Sequence, residues 1–216
     1  MTALSSVKDA ALNSWTQIGS TASNASGAQV SVWALDTPAG DAGIKPAIKA
    51  TFTVSDALGI TIVEVSGLLA GNTTAMADGT PGTLTGSTAS TGSPAYSSTA
   101  SGEFLICGYG DNANNATVVK TTGWTMVGSN TSGFGNANCL LEYNNSTGGS
   151  ETNGFTGADT NAWALVEVAF KLAVTGSDSG PNSPGTGTDL GGGTGSWTSP
   201  GNITADDGSA ATWAVV

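Results

Sequence analysis

The chain has 216 residues, of which 16 are acidic and only five basic, so its net charge is −11 and its pI lies near 4.1. It contains no histidine and no arginine. These absences exclude Ser-His-Asp and Cys-His nucleophiles, histidine-ligated zinc and bidentate phosphate clamps. Because no basic stripe exists, nucleic acid and anionic membrane surfaces are excluded as partners.

Alternation of apolar and polar residues recurs along the chain, whereas helical periodicity persists nowhere. Turn-forming clusters of Gly, Asn, Ser and Pro separate the alternating segments at the spacing typical of β-sandwiches and barrels. In chain order, the clearest strands are predicted over 29–35, 47–54, 59–67, 103–109, 139–144 and 162–172. Weaker strands are predicted over 5–8, 15–18, 83–89, 117–120 and 124–127.

The strand at 162–172 indicates how its sheet should be buried, because successive side chains point to opposite faces. The face predicted to meet the inter-sheet core carries Ala164, Val166, Val168, Phe170 and Leu172. The opposite face is mixed and is predicted to be a partly covered outer face, with Trp163, Leu165, Glu167, Ala169 and Lys171. Further residues predicted to pack in the core are Trp15, Trp33, Phe52 and Trp124.

The two cysteines are too few for a disulfide framework. Cys107 alternates with Leu105 and Tyr109, and Cys139 lies in a similar apolar pattern. We interpret both as buried thiols that behave as small hydrophobic side chains, with a single bridge as the alternative.

Three strand glutamates, Glu64, Glu142 and Glu167, are candidates for paired-carboxylate glycoside hydrolysis. Each predicted strand offers only one of them, so outward-facing or hydrogen-bonded carboxylates are the preferred interpretation. The oxygen-rich loop 110–115 and the pair Asp206-Asp207 could hold a cation, but both also read as ordinary turns. We therefore expect no catalytic residue, no cofactor and no bound metal.

The domain organisation follows from a change in composition after Ala173. Residues 174–195 are almost entirely Gly, Ser, Thr, Pro, Asn and Asp, which predicts a flexible linker. Residues 196–216 contain two tryptophans and a closing strand pattern, yet are too few to form their own core. This segment is predicted to dock on a neighbouring subunit, to fold back onto residues 1–173, or to open a truncated second module.

Several motifs in their order resemble a jelly-roll-like β-sandwich found in bacteriophage virion proteins and bacterial surface proteins. They are the V-x-D-x-x-x-N-x-W pattern at 7–15, VSVWA at 30–34, ATFTVSDALGITIVEVSGL at 50–68, GEFLICGYG at 102–110, GWTMVG at 123–128 and WALVEVAFK at 163–171. The segment 197–208 is similar to the opening strand of another sandwich module of phage tail and fibre proteins. Such domains usually have more strands before residue 7, which favours a fragment or a sheet completed by a neighbour's strand.

The resemblance implies an all-β, jelly-roll-like antiparallel sandwich serving as a structural virion protein, as a head decoration or as a tail or fibre component. The implied partners are further copies of the chain, with a trimer as one arrangement, other virion proteins and host surface glycans. Two other functions remain open at this point. They are a carbohydrate-binding adhesion module, which would act at a bacterial cell surface, and an extracellular filament subunit joined by strand exchange.

Overall fold

A computed structural model describes residues 4–8, 13–36, 47–52, 59–69, 73–112, 118–130, 139–158, 160, 162–173 and 211–215. For residues 52, 128–130 and 211–215 the description covers the backbone alone. The predicted linker at 174–195 and the predicted core side chain of Phe52 therefore lie outside the described part of the chain.

The described residues form eleven strands and one short helix, which confirms the all-β class. The strands are β1 Leu4–Lys8, β2 Thr16–Ser23, β3 Gln29–Asp36, β4 Lys49–Phe52, β5 Ile62–Ser66, β6 Gly82–Gly86, β7 Ser101–Asp111, β8 Thr125–Asn130, β9 Cys139–Thr147, β10 Trp163–Phe170 and β11 Ala211–Val215. The helix α1 spans Thr73–Met76. No helix in this part of the chain is long and apolar enough to cross a membrane.

The strands form three sheets in which every described pairing is antiparallel. The large sheet has the order β6-β10-β7-β9-β8, the small sheet has the order β2-β3-β11-β5, and β1 pairs with β4 in a two-stranded ribbon. The antiparallel arrangement agrees with the predicted class, while the jelly-roll connectivity remains a prediction.

Ten of the eleven predicted strands overlap observed ones, with boundaries that differ by a few residues. The exception is the weak strand at 117–120. Its described residues, 118–120, contain only an isolated bridge from Val119 to Thr156. Residue 119 is also 56% exposed, so this segment gains too little burial to add a strand to a sheet.

Three apolar clusters lie between successive layers of the molecule. The main core joins the inner faces of the large and small sheets, and it contains Ile106, Val166 and Phe170 opposite Val32 and Val63. A second cluster covers the outer face of the large sheet. A third cluster places Val7 of the β1–β4 ribbon beside Trp15 and Trp33 at the small sheet.

The prediction that Ala164, Val166, Val168, Phe170 and Leu172 face the inter-sheet core is confirmed. The prediction of a partly covered outer face is wrong, because all eight residues of β10 are buried. Trp163 lies over Gly86 so closely that a Cβ at residue 86 would sit 2.3 Å from its ring, and its Nε1 donates to the Thr88 carbonyl at 3.0 Å.

Three loop segments, 87–100, 118–124 and 148–158, cover that outer face. They are joined to one another by backbone hydrogen bonds, such as Thr91 N to Phe155 O at 3.0 Å and Val119 N to Thr156 O at 2.8 Å. Phe155, which is fully buried, packs against Tyr109 of β7 with ring centroids 5.2 Å apart. The loops thus act as a further layer, and a sheet covered on both faces can carry nearly continuous apolar strands.

Phe170→Ala should lower the free energy of unfolding by about 3–5 kcal/mol, because the ring is buried in the main core and its removal leaves a cavity. Urea denaturation monitored by tryptophan fluorescence would measure the change. Val119→Ala, at an exposed position, is the matched control and should change stability by less than about 0.5 kcal/mol. Equal effects of the two substitutions would contradict the assignment of the core face.

Candidate functional site

Several buried carboxyl groups gather on and around the large sheet. Glu167 of β10, Cys107 of β7 and Glu142 of β9 are register partners, so they form one row across three adjacent strands. All three side chains are buried. The row lies on the outer face, beneath the loops that cover this side of the sheet.

Three of the carboxylates bind threonines in the same way. Each accepts hydrogen bonds from the backbone N–H and from the hydroxyl of one threonine, a pairing that fixes both the backbone and the side chain of the donor. The pairs are Asp78 with Thr99, Glu142 with Thr121 and Glu151 with Thr147. One member of each pair lies in a covering loop, so the pairs fasten these loops to β9 or to the residues that follow α1.

Thr121 shows the geometry of this carboxylate–threonine clamp. Its N–H donates to Glu142 Oε2 at 2.8 Å, and its hydroxyl donates to Oε1 at 2.5 Å. The same hydroxyl accepts a bond from Gly154 N at 2.8 Å, which connects two of the covering loops. Burial raises the pKa of Glu142, and the bonds from Thr121 oppose that rise.

Glu103 and Asp78 form a carboxyl pair near the start of β7. Burial, followed by the hydrogen bond and charge of Asp78, raises the pKa of Glu103 to about 8. Burial also acts to raise the pKa of Asp78, but the bonds from Thr99 and Glu103 outweigh it and leave the value below its usual one. At neutral pH, Glu103 is therefore the protonated donor and Asp78 the charged acceptor.

Glu167 differs from the other acids, because neither of its oxygens has a hydrogen-bond partner among the described groups. Burial and, to a smaller extent, the charge of Glu151 raise its pKa to about 8, although the nearby Asn153 amide acts to lower it. Both polar atoms of the Asn153 amide also lack a partner of good geometry. A buried ionised carboxylate without partners is costly, so Glu167 is held as the neutral acid.

The sequence interpretation of the three glutamates is confirmed for Glu142, which is hydrogen-bonded. Glu167 lies on the outer face of the sheet but is buried by the covering loops, where the Asn153 amide is near enough to lower its pKa without a hydrogen bond of good geometry. Glu64 lies on β5 of the small sheet, half-buried and away from the carboxyl row, so the structure does not bring the three candidates together. Glu103, Glu151 and Asp78 were not singled out in the sequence, since only the loop cover makes them neighbours.

The remaining candidates from the sequence are the two cysteines and the possible cation ligands. Cys107 and Cys139 are buried and form no disulfide, as predicted, and burial raises the pKa of each thiol. In the loop 110–115, Asp111 accepts the Tyr109 hydroxyl at 2.8 Å, while 113–117 lie outside the described residues, as do Asp206 and Asp207. Within the described ranges, no group of three His, Cys, Asp or Glu side chains could hold a metal ion.

The second candidate region is the position of β11 in the small sheet. This strand lies between β3 and β5 and is antiparallel to both, with Trp213 opposite Leu35 on one side and Glu64 on the other. Within the single chain, residues 211–215 thus pair with strands of residues 1–173. Docking of this segment on a neighbouring subunit stays a prediction. An interior strand supplied by the end of the chain makes this position a candidate contact for assembly.

Comparison with known proteins finds no matching family model, no matching curated protein and no matching solved structure.

The free energy of unfolding should fall as the pH rises from about 5 to 9. Glu103 and Glu167 ionise at the ordinary value of 4.5 when unfolded and near 8 when folded, so folding takes up protons between these values. Asp78 acts in the opposite sense, and its contribution is lost only as the pH falls through its lowered folded pKa, below 3.8. Melting temperatures measured across this range would reveal the slope.

Glu167→Gln should flatten that slope and raise the melting temperature at pH 8, because the amide cannot ionise. Glu64→Gln, at a half-buried position outside the carboxyl row, is the control and should preserve most of the slope. A melting temperature that rises steadily between pH 5 and 9 in the unmodified protein would contradict the assignment of Glu167 and Glu103 as neutral acids.

Thr121→Val should reduce stability by about 1–3 kcal/mol, because the substitution keeps the shape but removes a hydroxyl that bonds Glu142 and Gly154. Thr122→Val, at the adjacent exposed position, is the matched control. Thermal unfolding at pH 6 compares the two. If the two variants melt together, the hydroxyl does not fasten the loops.

Proposed function

We propose that the protein is a structural subunit of a multi-copy particle, of the kind found in bacteriophage virions as a head decoration or as a tail or fibre component. Its action is assembly, in which sheet edges and loops contact other copies and other virion proteins. The negative net charge keeps the exposed surface soluble.

The observation that carries this proposal is that most glutamate side chains are buried and that two of them hold threonines by hydrogen bonds. Four of the five glutamates are buried, and Glu142 and Glu151 each clamp a threonine. Glycoside hydrolysis needs one exposed carboxylate and one exposed acid beside a sugar. In this fold the row is covered by loops, which favours a role in holding the layers together over a role in catalysis.

The layered architecture gives the proposal a second support. Three apolar clusters pack between the four successive layers, which are the ribbon, the small sheet, the large sheet and the covering loops. A body in which both faces of the large sheet are packed is stiff, because close-packed interiors resist deformation. Stiff modules that interact through their margins suit a particle shell or a fibre, and the motifs resembling phage sandwich domains point the same way.

The carbohydrate-binding alternative gains less support. A glycan platform requires exposed aromatic rings that can stack on sugars. The four tryptophans whose side chains are described, Trp15, Trp33, Trp124 and Trp163, are all at least 92% buried and belong to the apolar clusters.

The purified full chain should form discrete oligomers as its concentration rises, and it should release no reducing ends from a panel of polysaccharides. Sedimentation velocity with negative-stain microscopy tests the first expectation, and a reducing-sugar assay tests the second. A monomer at every concentration up to the solubility limit would contradict the proposal. So would turnover that is abolished by Glu142→Gln or Glu167→Gln and retained in Glu64→Gln.

A further inference from the structure

The small sheet depends on a strand that arrives from the far end of the chain. β11 contributes the only link between β3 and β5 in the described sheet order, since these two strands pair with β11 and not with each other. Without β11, the facing backbone groups of β3 and β5 would lose their partners. Unpaired strand edges of this kind readily accept a strand from another chain.

The two ends of the connection that leads to β11 lie beside consecutive residues, Ser66 at the end of β5 and Gly67 directly after it. Ala173 donates its N–H to the Gly67 carbonyl at 2.8 Å, and Ala211 is the register partner of Ser66. Joining points so near to each other in a compact domain commonly takes about two to six residues. The chain places residues 174–210 there, which is 37 residues.

That length weakens the preference of β11 for its own sheet, so a high local concentration of other copies can compete with it. The probability of closing a flexible loop falls roughly as the 3/2 power of its length, so 37 residues in place of about five lower it roughly twentyfold. The Gly, Ser, Thr and Pro content of 174–195 predicts a flexible connection. At about 3.3 Å per residue, the same connection could extend roughly 120 Å, which is ample to reach an adjacent molecule.

We propose that β11 of one copy occupies the position between β3 and β5 of a second copy of this chain. The hydrogen bonds made by the exchanged strand are the same as those made within one chain, so local concentration decides between the two states. Mutual exchange gives a closed dimer, and sequential exchange gives an open array. The inference rests on the proposed structural role, and it names the partner and the contact through which assembly occurs.

Disulfide trapping between copies tests the exchange in the full chain. Ser66 is exposed and lies directly opposite Ala211, at a Cα separation that suits a disulfide. Two proteins, Ser66→Cys and Ala211→Cys, would be mixed at assembling concentration, oxidised and analysed on a non-reducing gel. The native Cys107 and Cys139 are buried and should not react. Exchange predicts a disulfide-linked heterodimer.

The register supplies a matched control. Ala214 pairs with Val63, so it lies three residues along the strand from Ala211, the partner of Ser66. A mixture of Ser66→Cys with Ala214→Cys should therefore give at least tenfold less of the linked product. Equal trapping in both mixtures, or no trapping while particles form, overturns the exchange. In both cases the proposed structural role stands, because assembly is still observed.

Shortening the connection provides an independent test. Replacing residues 174–210 with six Gly and Ser residues should hold β11 in its own sheet and convert the assembly to a monomer whose melting temperature is not reduced. Assembly of this variant equal to that of the full chain overturns the inference. If the full chain is itself a monomer at all concentrations and the mixed variants remain unlinked, both the inference and the proposed function fail.

Discussion

The burial of β10 on both faces is the constraint on which the rest of the structure depends. Its even-numbered residues fill the space between the two sheets, and its odd-numbered residues fill the space beneath the loops. A central strand of this kind requires a cover on each side, since an exposed face carrying Trp163 and Leu165 would be unstable in water. The covering loops are therefore part of the core and not appendages to the sandwich.

The loop cover creates an electrostatic problem, because it buries acids in a chain with five lysines and no arginine. The molecule solves it in two ways. Where a loop threonine is within reach, its N–H and hydroxyl satisfy the oxygens of the carboxyl group, as at Glu142 and Asp78. Where no such donor is available, as at Glu167, burial keeps the carboxyl group protonated. Hydrogen bonding and protonation thus replace the ion pairs that basic residues would provide.

The sequence predicted the strands well because alternation is a local signal. The inner face of β10 and the free, buried state of Cys107 follow from residues only two positions apart. The outer face was misjudged because Glu167 and Lys171 read as polar, solvent-facing positions. Lys171 is indeed half-buried, but the burial of Glu167 depends on loop residues such as Tyr96 and Phe155, which lie far away in sequence and show no periodicity.

Dependence on contacts that are distant in sequence also explains why the candidate site could not be predicted. The register that sets Glu167, Cys107 and Glu142 side by side follows from the strand order β10-β7-β9, which is not sequential along the chain. The carboxylate–threonine clamps could not be predicted from the sequence either, because nothing distinguishes Thr99, Thr121 and Thr147 from the many other threonines near turns. The closing strand pattern near residue 213 was visible, but its insertion between β3 and β5 depends on long-range pairing.

The meeting of Ala173 and Ala211 at Ser66 and Gly67 also has a topological consequence. The polypeptide could be cut anywhere between these two residues, and the short C-terminal piece would still be held by a ladder of backbone bonds on each side. The fold thus carries an internal site that is equivalent to a second pair of chain ends. A domain inserted between these two residues should therefore leave the strand order of both sheets unchanged.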